Sequence, residues 1–324
     1  MMRSLLASVP PKVAVEIAPQ RISAAVIAPQ GAQLVVTAYA AESIPAGIVT
    51  PALNTANITD SRIVTGALRR TFARIGGTPR QVALAIPDSA AKVSLLRFEK
   101  VPSRAADFNQ LVRWQMRKSA PFRMEDAQIS AMPGVVSPEG GREFVVIVAR
   151  HDIVREYEAA VEAAGSQAGI VDVSTFNVIN TVLAAPDPPQ HDWLLVHVTS
   201  DYASIAIVRG GDLVFFRNRS NESEGSLADL VHQTSMYYED RLSGGGFERV
   251  VLAGAGLLAG NGNDGDGWKN ADRLRRTLQE RLGTEVEAVN PCGAARLIDR
   301  IGADPELLDT LAPLVGLIVR ERVA

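Results

Sequence analysis

The groups in this chain that could do chemistry cluster at the ends of β-branched runs. Glu16 lies in a run at 13–17, while His197 and Asp201 flank the end of another at 193–198. Glu16 and Asp201 could form a carboxylate pair across a cleft. The simpler reading, preferred here, is two solvated charges at strand ends. His197 and His151 could be metal ligands or general bases, but neither has a second His or Cys at ligand spacing. Both therefore read as surface or partly buried histidines. The loop at 260–267 contains Asp264 and Asp266, yet it lacks the ordered acidic spacing and closing Glu of a calcium loop. It reads as a solvated loop. Ser243-Gly244-Gly245-Gly246 follows a helical pattern and precedes a strand, so it reads as a helix-end linker rather than a phosphate cradle. Neither a Gly-x-Ser-x-Gly elbow nor a Walker loop occurs. Cys292 has no nucleophile motif around it and is expected to pack in the core.

These residues must be positioned by a repeated pattern of elements. Runs at 13–17, 21–28 and 33–40, with a turn at Pro29-Gln30-Gly31, predict a three-stranded meander. A helix is predicted at 60–75, with Asp60 or Ser61 as N-cap and Gly76-Gly77 as its stop. The pattern returns at 193–198, 203–208 and 213–217, with Gly210-Gly211 at the turn and a helix at 226–242. Aligning Glu16 with His197 places Ala25-Val26-Ile27 on Ala206-Ile207-Val208, which suggests duplication. Each sheet would be covered by helices, with a cleft between the halves.

A different segment separates the repeats. Strands are predicted at 92–98, 127–132 and 143–149, and helices at 105–119, stopped by Pro121, and at 151–164. Trp114 and Phe122 flank the first of these helices. Anchoring that helix on its own sheet is the preferred role for both, and partner contact is the other. The expected division is a first half at 1–88, an inserted α+β subdomain at 89–165, a return and linker at 166–190, and a second half at 191–324. Late in the chain, a strand at 249–253 enters Gly254-Ala255-Gly256, and an apolar helix runs at 305–319.

Composition narrows the function classes. The 324 residues carry 33 Lys and Arg against 36 Asp and Glu, a net charge of −3, with 5% aromatics. No global basic field or set of stacking platforms exists to hold nucleic acid. The uncharged stretch at 22–41 is broken by Pro29, Gln30, Gly31 and Gln33, so it reads as strands rather than a membrane helix. The expectation is a cytoplasmic chain without direct membrane insertion.

The order of segments resembles the actin-like ATPase superfamily, and within it the PilM family of type IV pilus assembly proteins, with the division protein FtsA more distant. The resemblance rests on VAVEIAPQRISAAVI for the first phosphate segment and VALAIPDSAAKVSLLRFEKVP with LVRWQMRKSAPF for the insertion. It continues through LLVHVTSDYASIAIVRGGDLVFFR for the second phosphate segment and LAGAG for the adenosine turn. Val289-Asn290-Pro291 and the closing LAPLVGLIVR complete it, so nearly the whole chain is covered. It implies an α/β, actin-like (ribonuclease H-like) fold of duplicated halves with an inserted SHS2-like subdomain. It also implies a nucleotide cleft at Glu16, Gln20, Arg21, Ser23, Ser200, Asp201, Gly254 and Gly256, for ATP and magnesium.

Departures from that pattern fall on the phosphate loops. Glu16 stands where the family has Asp, and Ala18-Pro19-Gln20 replaces a turn of small residues. Pro19 has no amide hydrogen to donate. Ser23 replaces a Lys, and Arg21 sits at the wrong strand phase to substitute for it. His197 replaces Asp, and Thr199 brings a branched side chain where the backbone should approach phosphate. Binding of ATP and magnesium is therefore expected to be weak or lost, and the chain to be a scaffold rather than an enzyme. The resemblance implies a partner, the N-terminal cytoplasmic tail of a bitopic PilN-like membrane protein, docking near the inserted subdomain and the first half. That partner would hold the chain peripherally at the inner membrane. Other pilus platform components and a homodimer stay open. So do the alternatives of an active magnesium ATPase, an FtsA-like filament former, and a related secretion machine.

Overall fold

The computed structural model describes residues 11–136, 140–221, 223, 225–258, 271–298 and 302–323. The first sheet begins as a meander of β1 (Val13–Ala18), β2 (Arg21–Gln30) and β3 (Gln33–Ser43). Strand β2 runs through Pro29 and Gln30, so the turn falls later than predicted, at Gly31 with φ 63°. Helix α1 (Ser61–Arg74) starts at Asp60, whose side chain accepts from the Arg62 amide. It ends before Gly76 and Gly77, both at positive φ. Strand β4 (Gln81–Ile86) then pairs parallel with β1.

The inserted piece is a three-stranded antiparallel sheet of β5 (Ala91–Phe98), β6 (Ala127–Val136) and β7 (Arg142–Arg150), with β7 in the centre. Helix α2 (Ala105–Met116) covers one face, burying Val112 and Met116 against Phe98, Phe144 and Val148. It ends five residues before Pro121, because the Ser119 and Ala120 amides both turn back onto the Met116 carbonyl. Helix α3 (His151–Ala163), grouped with the insertion in the sequence reading, instead buries Ile153, Tyr157 and Val161 in the core of the first sheet. The chain then returns through β8 (Gln167–Val173), parallel to β4, and α4 (Ser174–Leu183).

The second sheet repeats the first with β9 (Asp192–Val198), β10 (Tyr202–Arg209), β11 (Asp212–Ser220), β12 (Val250–Ala253) and β13 (Val286–Ala288). Its order is β11-β10-β9-β12-β13, matching β3-β2-β1-β4-β8. The register matches too. Glu16 pairs with Ser23 across β1 and β2, and His197 pairs with Ser204 across β9 and β10. Helices α5 (Leu227–Arg241) and α6 (Ala271–Leu282) cover its outer face. The loop at 260–267 lies outside the described residues.

The end of the chain crosses back. Strand β14 (Arg296–Leu297) joins the edge of the first sheet beside β3. Helix α7 (Pro305–Val323) buries Leu311, Leu314 and Val315 against Ala14, Ala25 and Ala83 of that sheet. Helix α4, which follows the first half, buries Val178 and Val182 against Trp193, Leu195 and Ala206 of the second. Each half therefore lends a helix to the other. The exchange depends on Gly316, where a Cβ would sit 1.6 Å from the Asn177 carbonyl oxygen. Periodicity marks α4 and α7 as apolar helices, but it carries no information on which sheet receives them.

Candidate functional site

Several residues expected to line a nucleotide cleft lie between the halves and bond within the chain, although the buried Arg21 Nε has no hydrogen-bond partner. At the first turn, Ala18 pairs with Arg21, leaving Pro19 and Gln20 as a two-residue hairpin turn. So tight a turn, with Pro19 lacking a donor, provides no amide cradle for phosphate. Glu16 is 4% exposed rather than solvated. Its carboxylate accepts from the Ser174 hydroxyl at 2.8 Å, from Ser23 at 3.5 Å, and from the Arg21 guanidinium at 3.2 Å. Arg21 thus pairs with Glu16 instead of facing a ligand. Gln20 receives the Ile44 amide on its carbonyl oxygen.

The second turn is closed by its own hydroxyl. Thr199 Oγ1 accepts from the Tyr202 amide at 3.1 Å and the Asp201 amide at 3.4 Å. Ser200 donates to the Asp201 carboxylate at 2.6 Å. Glu16 and Asp201, read in the sequence as two solvated charges, each bond to separate partners, Glu16 buried and Asp201 half-buried.

Gly254 stands at φ 83°, and a Cβ there would fall 2.0 Å from the Val198 carbonyl oxygen, so this turn requires glycine. Its amide and that of Gly256 donate to the two oxygens of Asp309, each at 2.7 Å. Asp309, from the first turn and a half of α7, thereby takes both amides as a bound anion would. Burial pushes its carboxyl up to about 6, against the opposing pull of the two amides.

A network invisible in the motif reading ties the halves together. Asp88, fully buried after β4, accepts from the Thr175 amide at 2.9 Å, the Thr175 hydroxyl, and the Ser204 hydroxyl at 2.6 Å. Its own amide donates to the Tyr202 hydroxyl at 3.1 Å. Ser89 donates to Asn218 at 2.9 Å, and Asn218 donates to Ser204 at 3.0 Å. Burial pushes the Asp88 carboxyl upward, and the hydroxyl and amide donors oppose this. His197 is buried, at 5% exposure, more deeply than its sequence reading. Its Nδ1 lies 2.7 Å from Thr175 Oγ1. Where the Thr175 proton points to the Asp88 carboxylate, Thr175 Oγ1 accepts from His197 Nδ1. Burial pushes His197 down to about 4, opposed by the nearby Glu16 charge.

Two signals could have exposed this network. The duplicate register sets Ser204 opposite His197 as Ser23 is set opposite Glu16. Asp309 is a lone acid in the apolar run LLDTLAPLV. Nothing local marks Thr175 or Asp88. Elsewhere, His151 is exposed at the first position of α3, and Cys292 is half-buried in a short turn rather than in the core. Ser243 to Gly246 links α5 to β12, with Ser243 and Gly246 at positive φ. Phe122 anchors α2 as expected, but Trp114 is 56% exposed.

The residues present do not fit magnesium nucleotide. Its phosphates would find Pro19 and the Thr199 hydroxyl where amides are needed, and the Gly254 and Gly256 amides already face a carboxylate. Among the described residues, no group of three or more His, Cys, Asp or Glu could hold a metal.

A separate groove lies between the inserted sheet and the halves. Strands β6 and β8 are each terminal in their sheets, and their residues face one another across it. Ser130 and Met132 of β6 oppose Val171 and Val173 of β8 in a cavity of about 120 Å³. This opens at Met132, Asp172 and Arg320 into a cavity of about 520 Å³ floored by Phe176, Ile179 and Leu183 of α4. Asp172 and Arg320 form an ion pair at 3.3 Å where the two join. Burial raises the Asp172 carboxyl, with Arg320 pulling the other way.

Two matched sheets around a cleft, exchanging helices and carrying a Gly turn after the parallel strand, define the actin-like ATPase fold. The family model described as type IV pilus assembly protein PilM matches residues 14–240, and the chain belongs to that family. Among solved structures, a PilM-PilN type IV pilus biogenesis complex superposes with a TM-score of 0.77 at 18% identity, covering 96% of this chain and 99% of that one. The ethanolamine utilization protein EutJ from Carboxydothermus hydrogenoformans gives 0.50 at 11% identity, covering 96% and 90%. The cytoplasmic domain of EpsL, an inner membrane component of the type II secretion system of Vibrio cholerae, gives 0.45 at 11% identity, covering 74% and 80%. No curated protein matches the chain. Among the described residues, no helix is long and apolar enough to cross a membrane.

Proposed function

We infer that the chain is a scaffold of type IV pilus assembly that captures the N-terminal cytoplasmic tail of a PilN-like membrane protein in the groove between β6 and β8. The observation that carries this reading is the groove itself. Two terminal strands flank one apolar trough, and an extended tail can add main-chain hydrogen bonds to such an edge while its side chains enter pockets. The cavity of about 520 Å³ lies within the range of ligand pockets. The solved complex of a family member with PilN supports this choice of partner. Capture of such a tail would hold the chain at the inner membrane.

The cleft, in this reading, is a structural joint. Its amides, carboxylates and hydroxyls are mutually satisfied, so nucleotide would have to displace internal bonds to enter. The chain is thus a pseudo-ATPase.

Fluorescence anisotropy with a labelled tail peptide from the PilN-like protein tests the reading. Micromolar binding by the native chain is expected, with at least tenfold loss in Met132→Arg at an unchanged unfolding midpoint. Equal binding by Met132→Arg would remove the groove from the proposal.

A further inference from the structure

The inserted subdomain has two faces. One side of its sheet packs towards the halves, where Val93 and Val145 join the core beneath the second sheet. Helix α2 covers the other side and forms the outer layer there. Its buried positions are Val112 and Met116, with Phe108 and Leu111 partly buried beside them. At 100° per residue, Trp114 falls almost opposite that stripe, and it is 56% exposed. Lys118 lies over the indole, 5.1 Å from its centroid, which steadies the ring in an outward position. Val101, just ahead of the helix, is 44% exposed.

The charge around this face is opposite in sign to that of the chain. Residues 97–126 hold seven Lys and Arg against four Asp and Glu, a net of +3 within a chain of net −3. Lys100, Arg104, Arg117, Lys118 and Arg123 are all exposed. The acids Glu99, Asp107, Glu125 and Asp126 are exposed as well. Glu125 sits loosely between Arg117 at 3.8 Å and Arg123 at 3.7 Å, in pairs too open to water to neutralise either cation strongly.

We propose that the outer face of α2 is a docking surface for an anionic lipid bilayer, with Trp114 entering the headgroup layer and the surrounding Lys and Arg pairing with lipid phosphates. An indole with an apolar body and one N–H donor partitions to that layer, and Lys and Arg beside it snorkel to the phosphates. A convex helix face suits a broad planar surface, whereas an extended acidic peptide would seek a trough, and the groove already described lies between β6 and β8. The proposal rests on the tail-capture reading for its biological setting, because a tail held at β6 would bring this same subdomain to the membrane. It does not need the tail for its test.

Co-sedimentation of the full chain with vesicles, without any peptide, tests it. Binding to phosphatidylcholine vesicles containing phosphatidylglycerol is expected, falling with salt. The double variant Arg117→Gln/Lys118→Gln should bind about 25-fold more weakly. Trp114→Ala should also weaken binding, and Trp114→Phe should retain part of it. The tryptophan emission of the native chain should shift to the blue on adding anionic vesicles, and Trp114→Phe should lose most of that shift. All three variants should keep the native unfolding midpoint, since the side chains are exposed. Equal binding to pure phosphatidylcholine, or unchanged binding by the variants, would overturn the proposal. So would a Trp114→Ala variant that bound vesicles normally but lost self-association or peptide binding, which would mark a protein contact. Failure of the tail peptide to bind, with vesicle binding intact, would count against tail capture alone.

Discussion

The cleft and the groove are both crevices between packed elements, and they differ in what their polar groups do. In the cleft, Glu16, Asp88, Thr175, His197, Ser204 and Asp309 are bonded to one another or to backbone amides of the same chain. In the groove, β6 and β8 each lie, among the described residues, at the edge of their sheet with no neighbouring strand on one side, beside apolar side chains. Filling a site with internal bonds makes it a joint, while leaving an edge unpaired keeps it available for a partner.

The strongest way to break the comparison is Asp88→Ala. It would leave the Thr175 amide and the Ser204 hydroxyl without an acceptor in a buried site, and we expect a loss of about 3 kcal/mol in stability. Denaturant titration would show this as a lower midpoint. Tail affinity measured below that midpoint should stay within about twofold, because Asp88 itself does not line the groove. A large loss of affinity at intact fold would show that the cleft and groove act as one site.

A second, smaller effect concerns pH. His197 is neutral in the fold with its pKa pushed down to about 4, below its ordinary value near 6.5. The unfolded chain binds that proton more readily, so His197 contributes stability above pH 6.5 that is lost as pH falls toward 4. Asp309 is raised to about 6, so the fold takes up its proton first and gains stability as pH falls through the same window. The two effects oppose, and the native chain should show a shallow profile. His197→Gln should become more stable from pH 6.5 to 4 by about 2 kcal/mol, relative to the native trend. A variant with an unaltered profile would show that His197 does not titrate in this window.

The smallest expected effect sharpens the cleft reading. Asp309→Ala frees the two Gly amides, yet it restores neither the first turn nor a metal site. Calorimetric titration with ATP and magnesium should show no binding at millimolar concentration in the native chain or in this variant. Micromolar binding by the variant would mean that one carboxylate had been holding an otherwise intact nucleotide site shut.

The duplicated meander was legible because β-branched runs, turn glycines and helix caps are local signals, and Asp60, Gly76 and Gly77 act where they were expected to act. The altered phosphate turns were legible for a similar reason. A missing amide at Pro19 and a branched side chain at Thr199 are properties of single residues. Trp114 misled, since a large aromatic near a helix suggests core packing, and only the helix's orientation on its sheet shows the ring facing out.

By itself, then, the sequence determined the two repeated sheets, the insertion between them, and turns unsuited to phosphate. The tertiary structure decided the rest. It sent α4 and α7 to opposite halves, brought Asp88 against Thr175 and Ser204 from 87 and 116 residues away, and placed Asp309 on the Gly turn. Period and propensity report which face of an element is apolar. They do not report which other face will cover it, and a buried hydrogen bond between distant residues exists only once that choice has been made.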